Sequence, residues 1–191
     1  MTSVEEDFRF DCGATWLNLM ATKGRTFSAN PIERLSTPER LAEWFDASEL
    51  TPGQPPTETD LEQAWALREI LRALALATVS GEPPAAGPAS ALARFLVGAP
   101  DPVHLSTGDR LRRQPPRNPR AALARIGRQA VDHLTGPERH SLVICPEHDC
   151  RGVFADPSGR RRWCPSPSCA SRGRVRAHRA RLAAAAENGE P

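Results

Sequence analysis

The chain has 191 residues, 39% hydrophobic and 25% charged, a size that suits one globular unit with a small appendage and excludes a large multidomain enzyme. No apolar run approaches the roughly 18 residues a membrane-spanning helix needs, and Met1–Asp7, with Glu5, Glu6 and Asp7, lacks the basic-then-apolar order of a secretory signal, so a cytoplasmic protein is expected. The net charge of +2 hides a division: residues 145–182 hold nine arginines against three acids, and the remainder holds sixteen basic against twenty acidic residues, an asymmetry that points to a polyanionic partner.

Aromatics are scarce and Tyr is absent, which leaves a core of Leu, Ala, Phe and Trp and favours helices. Phe8 and Phe10 alternate before Cys12-Gly13, and an apolar stretch follows from Trp16 to Met20; this predicts a short strand, a turn and a helix. Ser36 and Glu39 have capping-box spacing and Pro38 suits a first turn, predicting a helix over about 38–47. Thr59 and Glu62 repeat that spacing ahead of Leu61, Ala64, Leu67, Leu71, Leu74 and Ala75, which recur at helical intervals. After a Pro-rich break over 81–88, Ala91, Leu92, Phe95 and Leu96 read as a short helix ending at Gly98. Val103–Leu111 reads as a hairpin turning at Gly108, and Asn118-Pro119 opens a helix through Leu123, Ile126, Ala130 and Leu134 that Gly136-Pro137 stops.

Four of the five cysteines stand as Cys145-x4-Cys150 and Cys164-x4-Cys169. Two close pairs let two tight loops deliver four thiolates to one tetrahedral zinc ion; the plain alternative is a set of unconnected buried thiols. Four thiolates leave no open coordination position, so one structural rather than catalytic Zn2+ is expected, with His148 and His178 not needed as ligands. Cys12 stands apart and reads as a small buried hydrophobe. Between the pairs, Gly152–Trp163 reads as a β-hairpin over a Pro-Ser-Gly turn, with Phe154 and Trp163 covering the metal and a helix capped by Ser171 after Cys169, a treble-clef-like layout. On that helix Arg172, Arg176 and Arg179 share a face, Arg174 and Arg181 form a second basic stripe, and Val175 and Leu182 form an apolar stripe facing the hairpin. Guanidinium groups fork onto phosphate, so these arginines, with Arg160, Arg161 and Arg162, are the candidate contacts to double-stranded DNA.

His133–Arg139 leading into Cys145-x4-Cys150, then Arg161-Arg162-Trp163-Cys164-x4-Cys169, resembles the bacterial CGNR zinc-finger family, with Cys169-Ala170-Ser171-Arg172 standing where that family has Cys-Gly-Asn-Arg. The metal ligand and the arginine carry over; the Gly and Asn do not. Phe8–Gly13, Leu17-Asn18, Leu41-Ala42-Glu43-Trp44 and Leu67-Arg68-Glu69-Ile70-Leu71 resemble the companion ABATE domain, and the two resemblances together cover nearly all of residues 8–182. They imply a bacterial, stress-responsive transcription regulator: a mainly α fold whose residues 1–140 sense a small-molecule effector or mediate homodimer assembly, and whose residues 141–186 form a zinc finger docking on DNA. If the helical unit holds an effector, Trp16, Asn18, Arg25 and Trp44 are the candidates, Asn18 being polar inside an apolar stretch; the plain alternative is an Asn bonded to backbone. A zinc-dependent RNA- or protein-interaction module and a thiol redox switch are the alternative functions. No P-loop, dinucleotide fingerprint, nucleophile elbow or H-E-x-x-H motif occurs, and the five histidines form no triad spacing, so catalysis is not expected.

Overall fold

The computed structural model describes residues 7–187, so the acidic start Met1–Glu6 lies outside the described residues. Its elements are α1 (Thr15–Met20), β1 (Lys23–Gly24), β2 (Ile32–Glu33), α2 (Pro38–Ala47), α3 (Glu58–Ser80), α4 (Ala86–Val97), β3 (Leu105–Ser106), β4 (Arg112–Arg113), α5 (Pro119–Thr135), β5 (Leu142–Ile144), β6 (Val153–Ala155) and α6 (Pro167–Glu187), with a 3₁₀ turn over Pro137–Ser141. The fold is mainly α, as the composition requires. Three separate two-stranded antiparallel pairs, β1-β2, β3-β4 and β5-β6, complete it. Among the described residues no helix is long and apolar enough to cross a membrane.

The 23-residue α3 is the axis of the molecule, in contact with α1, α2, α4, α5 and with β5 and β6. It buries Leu61, Ala64, Leu67, Leu71 and Ala75, the periodic positions, against Trp16, Leu17, Trp44, Phe45, Leu123 and Ile126. The same buried cluster contains Leu142, Cys145, Val153, Phe154, Ala155 and Cys169, so the cysteine-rich segment and the helical unit share one core.

Several local expectations change. Residues 8–11 form no strand: they have no ladder partner, and Phe10 instead stacks on Trp44 with ring centroids 6.4 Å apart. The cap of α2 is Thr37 rather than Ser36, its side chain accepting from the Arg40 amide at 3.3 Å, because Pro38 occupies the first helical position and makes its predecessor the cap. The capping box of α3 is Thr57 with Asp60, two residues ahead of the expected pair; the Asp60 carboxylate accepts from the Thr57 amide at 2.9 Å. Helix α4 begins inside the expected break, since Pro88 lies in the first turn, where a missing N–H leaves no bond unmade. The β3-β4 hairpin and the bounds of α5, capped by Asn118, agree with the sequence reading.

In the finger, β6 pairs with β5 before the first cysteine pair, in the register Leu142↔Ala155, Val143↔Phe154, Ile144↔Val153, and not with residues 160–163. The Asp156 carboxylate holds residues 158–161 in a turn by accepting from the Ser158 hydroxyl at 2.6 Å and the Arg161 amide at 2.6 Å, which removes them from strand geometry. Helix α6 starts at Pro167, ahead of Cys169, so Ser171 lies inside it and caps nothing. Val175 and Leu182 are exposed at 46% and 58%; the face turned to the finger carries Cys169 and Gly173 instead.

Candidate functional site

The β5-β6 hairpin holds Cys145 and Cys150 in the loop at its tip, where the Cys145 amide donates to Gly152 O at 2.9 Å and the Cys150 amide to Glu147 O at 3.0 Å. Cys164 precedes α6 and Cys169 sits in its first turn. The four Sγ atoms lie within 4.8 Å of one another, and Cys150 and Cys164 Sγ are 3.7 Å apart. A tetrahedron with metal–sulfur bonds of about 2.3 Å has edges of about 3.8 Å, so the cluster is built to the dimensions of one zinc ion. Four thiols packed this closely oppose one another's ionisation, because each thiolate would repel the next. A cation at the centre removes that conflict by taking all four as thiolates. Cys12 is buried away from this set, and desolvation pushes its thiol up to about 12, as an inert core cysteine requires.

The arginines of the finger divide. Arg176 grips the buried Glu147 with both terminal nitrogens, one at 2.8 Å, and Arg172 donates to Asp149 at 3.0 Å. The Arg176 bond holds the Glu147 carboxyl below its ordinary range. Two residues read from sequence as nucleic-acid contacts therefore strap α6 to the first cysteine loop. Glu147 and Asp149 were missed as their partners, although they are two of only three acids between residues 145 and 182. Arg161 donates to Asp11 O at 3.2 Å, and Arg162 lies over the Trp163 ring at 5.1 Å. Arg160, Arg174, Arg179 and Arg181 are exposed. Trp163 packs flat against the α6 backbone at Gly173, where a Cβ would collide with the indole.

Of the four residues expected to hold an effector, three are core. Trp16 is fully buried with its indole N–H donating to His133 Nδ1 at 3.2 Å, Trp44 is fully buried, and Asn18 accepts from the Cys12 amide at 3.1 Å, the backbone-bonded alternative. Only Arg25 lines a cavity, one of about 280 Å³ between the helical unit and the finger. Lys23, Arg34 and Arg72 line it as well and were not foreseen. The available signal was on α3, where Arg68 and Arg72 interrupt the core-facing stripe at a spacing of four.

With that geometry in place, residues 13–137 match the ABATE family, described as "Putative stress-induced transcription regulator". The chain belongs to the ABATE family. Residues 142–182 match the CGNR zinc finger, which agrees with the cysteine geometry. No curated relative matches the chain in sequence. This ABATE protein is thus a zinc-binding member of a family described as regulators, with Cys145, Cys150, Cys164 and Cys169 holding one structural zinc.

Proposed function

We propose that the protein is a transcription regulator that docks on duplex DNA through the outer arginines of its zinc finger, acts by binding rather than catalysis, and uses residues 1–140 to sense an effector or assemble a homodimer. The observation that carries this reading is the division of the arginines: Arg172 and Arg176 are spent on Glu147 and Asp149, whereas Arg160, Arg174, Arg179 and Arg181 are exposed with no carboxylate partner among the side chains described. Cations left unpaired on a small rigid module are the means by which a protein displaces counterions from a polyanion. A single finger offers little contact area, which supports a dimer on DNA. The same reading has the protein work in the cytoplasm, where thiols stay reduced and available to zinc.

Fluorescence anisotropy of the zinc-loaded protein on a random-sequence duplex and on single-stranded RNA, each titrated with salt, tests the reading. Duplex binding lost on chelation is expected, with log affinity falling against log salt at a slope near −0.9 per neutralised phosphate. Replacing Arg174, Arg179 and Arg181 together by Gln flattens that slope by roughly 3 without loss of zinc. Binding to neither nucleic acid refutes it. The outcome then favours a protein-interaction module, for which the exposed Val175 and Leu182 on the outer side of α6 provide the contact.

A further inference from the structure

Cys150, Cys164 and Cys169 line the cavity of about 280 Å³ between the helical unit and the finger, and Lys23, Arg25 and Arg72 of the helical unit line it with them. Four thiolates around one Zn2+ leave two negative charges uncompensated. Cys145 and Cys169 are buried, so water reaches only part of that charge. The groups that answer it must come from the protein.

The ion pairs around the centre leave positive charge over. Arg68 is satisfied by Glu33, which it meets with both terminal nitrogens, and Arg176 grips Glu147 in the same way. Lys23 and Arg72 then share a single carboxylate, Glu69, at 3.8 Å and 3.1 Å. Arg25 and Arg172 share Asp149, at 4.0 Å and 3.0 Å. Each of these two trios holds one cation more than it has anions, on the side of the finger where the thiolates lie. Glu69 is 46% exposed and screened by water, whereas Arg72 is only 8% exposed, so that pair by itself offsets little of the arginine's desolvation. The Arg72 bond to Met20 O at 3.2 Å orients the head group without cancelling its charge. Burial works against that charge, and Glu69 and then the Cys150 sulfur act to keep it. From the finger side, Arg172 Nη2 lies 3.7 Å from Cys169 Sγ.

We propose that Lys23 and Arg72 of the helical unit, together with Arg172 of the finger, form the counter-charge of the zinc centre, so that the helical unit sets how tightly the finger holds its metal. The four cysteines supply the bonds; the cations on either side make the dianionic complex stable where water is scarce. The finger is therefore electrostatically incomplete by itself. A change at β1 or at Glu69 alters zinc retention without touching a ligand, which gives the helical unit a means of acting on the finger.

Competition for zinc between the full chain and a fluorescent chelator tests the inference. Arg72→Gln is expected to weaken zinc binding roughly tenfold and Lys23→Gln about threefold. Glu69→Gln removes an anion from the same trio and is expected to leave zinc held as tightly as before or more tightly. Were Arg72 to act only by its ion pair with Glu69, as a brace of the fold, Glu69→Gln would weaken zinc as Arg72→Gln does. Cobalt substitution supplies a second readout. Loss of a nearby cation raises the energy of the sulfur electrons, so the thiolate-to-cobalt charge-transfer band is expected to move to longer wavelength in Arg72→Gln and Lys23→Gln, but not in Glu69→Gln. Lys23 is 30% exposed, so Lys23→Gln decides the matter should Arg72→Gln fail to fold. Parental zinc affinity with an unmoved cobalt band in Lys23→Gln or in folded Arg72→Gln overturns the inference. So does a Glu69→Gln variant that loses zinc as readily as Arg72→Gln.

Discussion

The helical unit and the finger are held together by different physics. Around α3, stability comes from area: Trp16, Leu17, Trp44, Phe45, Leu67, Leu71 and Leu123 are fully buried, and each such side chain contributes about 1.5–3 kcal/mol by leaving water. The finger has a three-residue strand pair and one large fully buried side chain, Phe154, which it places in the common core. The remaining finger, including the loops of Cys145–Cys150 and Cys164–Cys169, depends on a metal and on the straps from Arg172 and Arg176. A core resists many small substitutions; a centre of four ligands fails when one is lost.

Removing the metal widens that difference most. Cys164→Ser, or chelation of the intact protein, is expected to abolish zinc stoichiometry and to raise amide exchange through residues 145–169 by orders of magnitude, while α3 and α5 stay protected. Equal loss of protection in α3 would show that the two regions form one cooperative unit. Phe154→Ala attacks the point where they meet. It is expected to cost about 3–5 kcal/mol by urea denaturation and to lower protection on both sides of the joint. Gly13 is the next seam: its φ of +99° suits glycine, and a Cβ there would lie 2.7 Å from the Ala155 Cβ. Gly13→Ala is therefore expected to destabilise the protein by about 1–3 kcal/mol and to loosen the Ala155 N–H bond to Cys12 O, read by amide exchange.

The smallest effect is expected far from the finger. Asp101 receives Arg125 at 2.7 Å and is approached by Arg113 and Arg128, tying the β3-β4 hairpin to α5. Burial pushes its carboxyl up, but the Arg125 bond and the three cations outweigh this and hold it below the ordinary range. Because the folded value lies below the unfolded one, the contribution is full above the usual aspartate range near pH 4 and fades as pH falls through the folded value. Asp101→Asn is expected to lower the melting temperature by a few degrees at pH 7 and by less as the pH falls below about 4.

Much of this difference is legible in the order of residues. Local rules act over a few positions, so the apolar periodicity of α3, the Asn118-Pro119 opening of α5 and the two Cys-x4-Cys pairs identify their elements without reference to anything distant. Caps shifted by one or two residues because Pro38 and Asp60 compete with neighbours of similar chemistry. Pairing was less legible. Strand β6 has an apolar sequence that serves either neighbour equally well, and only the Asp156 turn and the shared core give it to β5.

What the sequence alone determined is the set of short-range decisions: a mainly helical unit, a four-thiolate zinc site and a basic tail, each encoded by spacing within a few turns of chain. Tertiary structure decided the destination of each charge. Arg172 and Arg176 are paired because Glu147 and Asp149 come to lie opposite them across the metal loop, while Arg34 and Arg72 line a cavity because β1, α3 and the start of α6 converge there. A guanidinium group is long and always charged, so its role is set by the carboxylate or ligand within its reach, and that neighbour is fixed only when distant segments fold together.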